Sequence, residues 1–220
     1  MRIDIITCAP APLTHLFSYG IVRRAIEKKI ASVHVHNLRD YGIGKYKKVD
    51  DAPYGGEAGM VLMLEPIVRC IESLQRARTY DEIIYLAPEG EYFSQSMANQ
   101  ISLSENVILL CGHYKGIDER ICECVALRKV SIGDYILPGG ELPAAILAQS
   151  IIRLLPGALS DGMSALNDSF QDGLIAAPVY TRPAIFRDIA VPPVLRSGDE
   201  KLIREWRDQQ REGRTREKYK

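Results

Sequence analysis

The chain of 220 residues has little of what would place it outside the soluble globular proteins. No apolar run approaches the ~20 residues of a membrane span. The opening MRIDIIT reads as a strand and lacks the long apolar stretch of a secretory signal. Cysteines number 5, an odd count with no CxxC pair, so reduced thiols in the cytoplasm are expected rather than a disulfide framework. Net charge is absent too, with 28 Lys+Arg against 28 Asp+Glu. Internal repeats and low-complexity stretches are missing, which removes solenoids and disordered tracts. Three common catalytic signatures are also missing. No GxGxxG follows a strand, no GxxxxGK[ST] offers a phosphate cradle, and no GxSxG forms a nucleophile elbow.

What is present is ordinary globular composition, 46% apolar and 25% charged. That suffices for one sizeable α/β domain with a small appendage, or for two modest domains. Charge is unevenly spread behind the zero total. Residues 1–50 carry a net +5, residues 51–152 carry −7, residues 153–195 carry −1, and residues 196–220 carry +3. Basic ends around an acidic middle raise the question of a polyanion partner, although solvated helix faces account for most such patterns.

Arg2–Thr7 alternates as a first strand, and Leu16–Ile30 has helical spacing with Ile21, Val22, Ala25 and Ile26 on one face. Ser32–Asn37 is a short strand, followed by a polar, Gly-rich stretch from Arg39 to Gly59. Helices are expected over Met60–Ala77, Ser94–Ile101, Ile117–Cys124 and Glu141–Leu155, with Pro66 and Pro143 tolerated in first turns. Strands are expected over Glu82–Ala87, Asn106–Cys111 and Val125–Ser131. Alternating strands and helices predict a mostly parallel sheet covered on both faces. Residues 158–173 read as a linker, a proline-punctuated stretch follows, and Glu200–Glu212 reads as an amphipathic helix centred on Trp206.

Three segments follow predicted strand ends, where open α/β sheets bind ligands: LAPEG over 86–90, CGHYKGIDER over 111–120 and SIGDYILPGGELP over 131–143. Their glycines let backbone approach a ligand, and Ile132, Tyr135 and Leu137 supply apolar walls for a flat group. Tight turns explain any one loop; they explain three together less well. A fourth segment, DDAPYGGEAGM over 50–60, sets Gly, Tyr and acid beside Lys45, Lys47 and Lys48. His34 and His36 share a strand face without a third ligand nearby, and Cys122 and Cys124 read as packing residues rather than ligands. Asp168 offers a carboxylate in the linker, for which an Asx turn or cap is the better account from spacing alone.

Together these segments resemble one family, the bacterial tRNA (guanine-N1)-methyltransferases (TrmD) of the knotted SPOUT class. The matching stretches are MRIDIIT, HNLRDYG, DDAPYGG-x-AGMVL, CGHYKGIDER, SIGDYILPGGELPA, RLLPGAL, NDSFQDGL, YTRP and the closing EWR…Q…RTRE. They stand in the family's order over nearly the whole chain. The resemblance implies an α/β fold, a mostly parallel sheet with helices on both faces and a deep trefoil knot, plus a small, mainly helical C-terminal domain. It divides the chain into a knotted cofactor-binding domain over 1–157, a flexible linker over 158–173 and a tRNA-binding domain over 174–220.

The activity implied is methyl transfer from S-adenosylmethionine to N1 of the guanine 3′ of the anticodon. The cofactor positions implied are Pro88, Gly112, Tyr114, Gly116, Ile132, Gly133, Asp134, Tyr135, Ile136, Leu137, Gly139 and Gly140. Asp168 matches the family's general base and Arg153 an arginine that stabilises charge developing on the guanine. Arg204, Arg207, Arg211, Arg214 and Arg216 would grip the anticodon stem-loop. The partners implied are tRNA and a second copy, in a cytoplasmic homodimer whose active site is shared between subunits, with no DNA, membrane or resident metal site. Three residues depart from the family pattern. Glu57 replaces a glycine, His113 an arginine, and Lys115 a glutamate associated with catalysis and with Mg²⁺ dependence. Lys115 thus counts against a Mg²⁺ requirement. The same departures leave two alternatives, a non-catalytic RNA-binding relative or a SPOUT-class methyltransferase acting at a different RNA position.

Overall fold

Strand residues in the first part of the chain face alternately into two apolar layers, as a sheet buried on both sides requires. In the computed structural model, which describes residues 1–159 and 168–220, the chain divides into two compact units, Met1–Gly162 and Met163–Lys220. Five parallel strands of the first unit stand in the order β2-β1-β6-β5-β7, where β1 is Arg2–Thr7, β2 Ser32–Asn37, β5 Glu82–Tyr92, β6 Asn106–Cys111 and β7 Arg128–Ser131. A two-stranded antiparallel ladder of β3 (Asp50–Asp51) and β4 (Val61–Leu62) closes the intervening Gly-rich loop.

On one face Ile3, Ile5, Val107, Leu109, Ile84, Leu86 and Val130 pack against α1 (Ala11–Leu16), α2 (Gly20–Glu27), α4 (Gln95–Ile101) and α6 (Glu141–Ile152). On the other, Ile6, Ile83, Tyr85, Ile108 and Leu110 pack against α3 (Leu64–Ala77) and α5 (Ile121–Cys124). The expected α/β architecture is therefore observed. Several element expectations change. The helix expected from Met60 starts at Leu64, because Val61–Leu62 is β4; the one expected over Ile117–Cys124 is a single turn from Ile121; and the strand expected from Val125 starts at Arg128. The periodic stretch 16–30 is helical only over α2, Gly20–Glu27: Leu16 already ends α1, Tyr19 is extended and Gly20 starts α2 with a φ of 68°. Strand β5 does not stop at Ala87. It shifts register against β7 between Leu86 and Glu91 and then pairs again, so Pro88-Glu89-Gly90 is a bulge inside a strand.

Asp4, on the α3 face of β1, is fully buried and charged. Its carboxylate accepts two bonds from Arg2 (2.7 and 2.8 Å), one from the Tyr80 hydroxyl (2.8 Å), and pairs with His36 Nε2 at 2.6 Å. His36 is thus the partner of a buried carboxylate. Among the described residues no group of three or more His, Cys, Asp or Glu side chains is arranged to hold a metal ion. Cys122 and Cys124 are exposed, contrary to the packing role expected for them, because α5 is a single turn whose buried residue is Ile121.

The second unit contains the hairpin β8–β9 (Ile185–Phe186 with Ile189–Ala190), a 3₁₀ turn over Pro193–Arg196 and a 19-residue helix, α7 (Glu200–Lys218). Asp199 caps α7, its carboxylate accepting from the amides of Lys201 and Leu202. Residues 160–167 of the linker expected over 158–173 lie outside those described, which is half of it; of its ends, Ala158 is buried in the core of the first unit. No described helix is long and apolar enough to cross a membrane.

Candidate active site

The bulge inside β5 at 88–90 and the two loops that leave the carboxyl ends of β6 and β7 close round one cavity of about 390 Å³, a size suited to a cofactor. The segment 132–140 leaves edge strand β7 and runs back to central strand β6. There His113 and Gly139 form an antiparallel bridge, and the amide of Gly140 donates to the carbonyl of Gly112 at 2.8 Å. A side chain at 140 would put its Cβ 2.7 Å from Cys111 Cα, so only glycine permits this crossing.

Of the twelve positions expected to hold a cofactor, eleven line this cavity: Pro88, Gly112, Tyr114, Gly116, Ile132, Gly133, Tyr135, Ile136, Leu137, Gly139 and Gly140. Asp134 does not; its carboxylate accepts a 2.5 Å bond from the Tyr92 hydroxyl outside the lining. The walls also include Leu86, Ile117 and Pro143, and Tyr85, which lies beneath the Gly112–Gly116 turn. Sequence alone gives Tyr85 no mark, because it stands inside a strand. Burial pushes its phenol up to about 12, which keeps it neutral near pH 7. Ile136 is 81% exposed, a large apolar group left at the surface.

The charged groups of the lining are paired. Lys129 Nζ, itself outside the lining, reaches Glu119 at 2.7 Å and Glu89 at 3.2 Å, and its hydrogen bond holds the Glu119 carboxyl below the usual range. Lys115 pairs with Glu57. Beneath the loops, Thr7 Oγ1 donates to buried Glu141 at 2.5 Å, tying the start of α6 to the end of β1. His113 Nδ1 is buried without a hydrogen-bond partner among the described residues.

The two expected catalytic residues lie in different units. Arg153 is half-buried at the C-terminal end of α6 in the first unit, and Asp168 is half-buried in the second. Neither is among the residues that line the cavity. In the second unit, α7 and residues 176–195 border a separate cavity of about 960 Å³ lined by Arg204, Arg207, Arg211 and Tyr180. Arg211 pairs with Asp172, Arg214 donates to the carbonyl of Ala176 at 2.7 Å, and Arg216 pairs with Glu212 at 2.9 Å. Among the described residues, Arg204 and Arg207 form no ion pair.

Comparison with known proteins matches residues 1–220 to the family described as tRNA (Guanine-1)-methyltransferase TrmD. A tRNA (guanine-N(1)-)-methyltransferase of Bacteroides fragilis is 56% identical over 216 residues, 98% of this chain and 96% of that protein. One of Cytophaga hutchinsonii is 55% identical over 218 residues, covering 99% and 93%. One of Flavobacterium johnsoniae is 53% identical over 208 residues, covering 94% and 92%.

Proposed function

The chain belongs to the tRNA (guanine-1)-methyltransferase family, TrmD, and on that premise we propose that it methylates N1 of the guanine 3′ of the anticodon, using S-adenosylmethionine. One observation carries the reading: in a chain that matches the family end to end, eleven of the twelve implied cofactor positions border a single cavity at the strand ends.

The residues present suit that cofactor. Leu86, Ile132 and Leu137 offer apolar faces for an adenine ring, while the glycine-rich turns at 112–116 and 139–140 bring backbone polar groups close to its edges. Bound there, S-adenosylmethionine supplies a methyl group activated by a sulfonium. Guanine N1 carries a proton, and a neutral product requires its removal. The Asp168 carboxylate takes that proton as general base. The Arg153 guanidinium stabilises the negative charge that grows on the guanine as N1 loses it.

Asp168 reaches the cavity of a second copy, in a homodimer whose sites are shared. Leu142 and Ile146, one turn apart on α6 and 50% and 45% exposed, support a dimer contact on this helix. The cavity beside α7 receives the tRNA stem, with Arg204 and Arg207 available for phosphates and Tyr180 beside them. A target base extruded from its loop would enter the first cavity, since enzymes that act on a base take it out of the stack.

The test is purified protein with cofactor and unmodified tRNA carrying guanine at the 3′ border of the anticodon. Nucleoside mass spectrometry should find 1-methylguanosine at that position. Methyl transfer to a ribose hydroxyl or to another site would refute the assignment. Binding of tRNA and cofactor without any transfer would instead establish the non-catalytic relative.

A further inference from the structure

Glu57 and Lys115, two of the three residues that depart from the family pattern, stand far apart in sequence and meet in space. The Lys115 ammonium donates to the Glu57 carboxylate. Beneath this pair the two loops are already sewn together by backbone. The amide of Lys115 donates to the carbonyl of Met60 at 3.1 Å, that of Leu62 to Gly116 at 3.0 Å, and that of Asp118 to Leu62 at 3.0 Å. The aliphatic stem of Lys115 lies along Gly59, where a Cβ would sit 3.0 Å from its Cγ and Cδ and where φ is 106°. Beyond the pair the loop projects outward. Tyr54 is fully exposed, and Gly55 and Gly56 have open space around them. Lys115 itself lines the cavity.

We infer that Glu57 and Lys115 form a positioning clasp that fixes the 50–60 loop at the cavity mouth for entry of the tRNA nucleotide. The inference rests on the function proposed above. Its logic is electrostatic. The approaching strand is a polyanion, and the loop stands next to a stretch holding Lys45, Lys47 and Lys48. A bare carboxylate at 57 would repel phosphate at the mouth. A bare ammonium at 115 would attract a phosphate to the place where the base must enter. Paired, the charges cancel, and the mouth offers neither. An exposed ion pair adds little to folding, so its loss leaves thermal stability nearly unchanged, and an effect on substrate handling reports positioning.

The test uses the full chain, with Glu57→Lys, Lys115→Glu and the double exchange, backed by Glu57→Gln and Lys115→Gln should a reversal disturb folding. By this logic Glu57→Lys, which leaves two cations at the mouth, is expected to lower KM and kcat for tRNA together several-fold, through binding with a phosphate held there. Lys115→Glu, which leaves two carboxylates, is expected to raise KM several-fold, and the exchange to return KM most of the way to the parent value. Cofactor affinity by isothermal titration should be unchanged in Glu57→Lys and Glu57→Gln, whose altered residue lies outside the cavity lining. Anisotropy with labelled tRNA makes the same comparison without turnover, so the clasp is judged even if the parent protein fails to methylate and the proposed function falls. Single variants with unchanged KM and tRNA affinity would overturn the clasp. So would an exchange variant no better than the worse single one, since Lys115 would then act on the substrate directly.

Discussion

The two units hold themselves together by different means. In the first, two layers of fully buried Ile and Leu flank a parallel sheet, and the buried carboxylate Asp4 is held by Arg2, His36 and Tyr80. In the second, no described residue is buried, and order rests on a capped helix, a short hairpin and polar ties such as Arg211 to Asp172 and Ile175 N–H to Thr215 Oγ1 at 2.9 Å. A unit that buries its own apolar surface can hold the walls of a cavity rigidly in place. A unit held by exposed polar contacts stays adaptable, which suits the RNA-gripping role proposed for it. The difference fits the division of labour proposed above, with ligand chemistry on the rigid unit and substrate capture on the adaptable one.

The largest expected effect breaks that division at its one exception. If Asp168 of the second unit is the base, Asp168→Ala should lower turnover by about 10²–10⁴-fold, the usual contribution of a positioned base. Cofactor affinity, a property of the first unit, should stay nearly as it was, measured by isothermal titration beside single-turnover methyl transfer. Retained turnover would return the whole of the chemistry to the first unit.

Next comes the buried cluster. Burial alone would raise the Asp4 carboxyl, yet the hydrogen bonds from His36, Arg2 and Tyr80 outweigh it and hold the group well below the ordinary carboxylate range. Asp4→Asn leaves the charge of half-buried Arg2 without its partner, and losing a charged hydrogen-bond partner costs about 1–3 kcal/mol. Urea unfolding of the first unit should show the loss. A group depressed in the folded state stabilises above its unfolded value of 3.8, and that stability drains away as pH falls below it. The parent should therefore lose stability in acid more steeply than Asp4→Asn.

These elements differ in how far the sequence disclosed them. β1 and β6 read directly, because β1 alternates, β6 is a short apolar run, and their ends are marked by Cys8-Ala9-Pro10 and by Gly112. The break at Tyr19-Gly20 did not, since the apolar period runs on through it while the backbone turns. The same limit applied to the site. Glycines at loop positions flagged the cavity, because close backbone approach leaves a residue-type signature. Tyr85 carried no such mark, and the Glu57–Lys115 pair joins residues whose meeting only the fold decides.

A smaller effect sharpens the comparison on the RNA side. Arg204→Gln and Arg207→Gln should each weaken tRNA binding and lower the salt slope of log Kd by about one for each phosphate no longer neutralised. Arg211→Gln should weaken binding too, but partly by loosening the second unit, since Arg211 is tied to Asp172. Anisotropy titrations across a salt series separate the two, because loss of a tie shifts affinity without the same change in slope.

The smallest effect tests whether the second unit is as loosely held as its exposure implies. Asp199 is the cap of α7, and its side chain satisfies the amides of Lys201 (3.0 Å) and Leu202 (3.1 Å) that the helix leaves unpaired. Loss of such a cap costs about 1 kcal/mol. In a unit with no buried residue among those described, that is a large share of local stability, whereas the sheet of the first unit has ample reserve. Asp199→Ala should therefore speed amide exchange along the first turns of α7 by about fivefold, the kinetic equivalent of that energy, and leave exchange in β1 and β6 unchanged. If β1 and β6 lose protection together with α7, the two units unfold as one and the contrast between them dissolves.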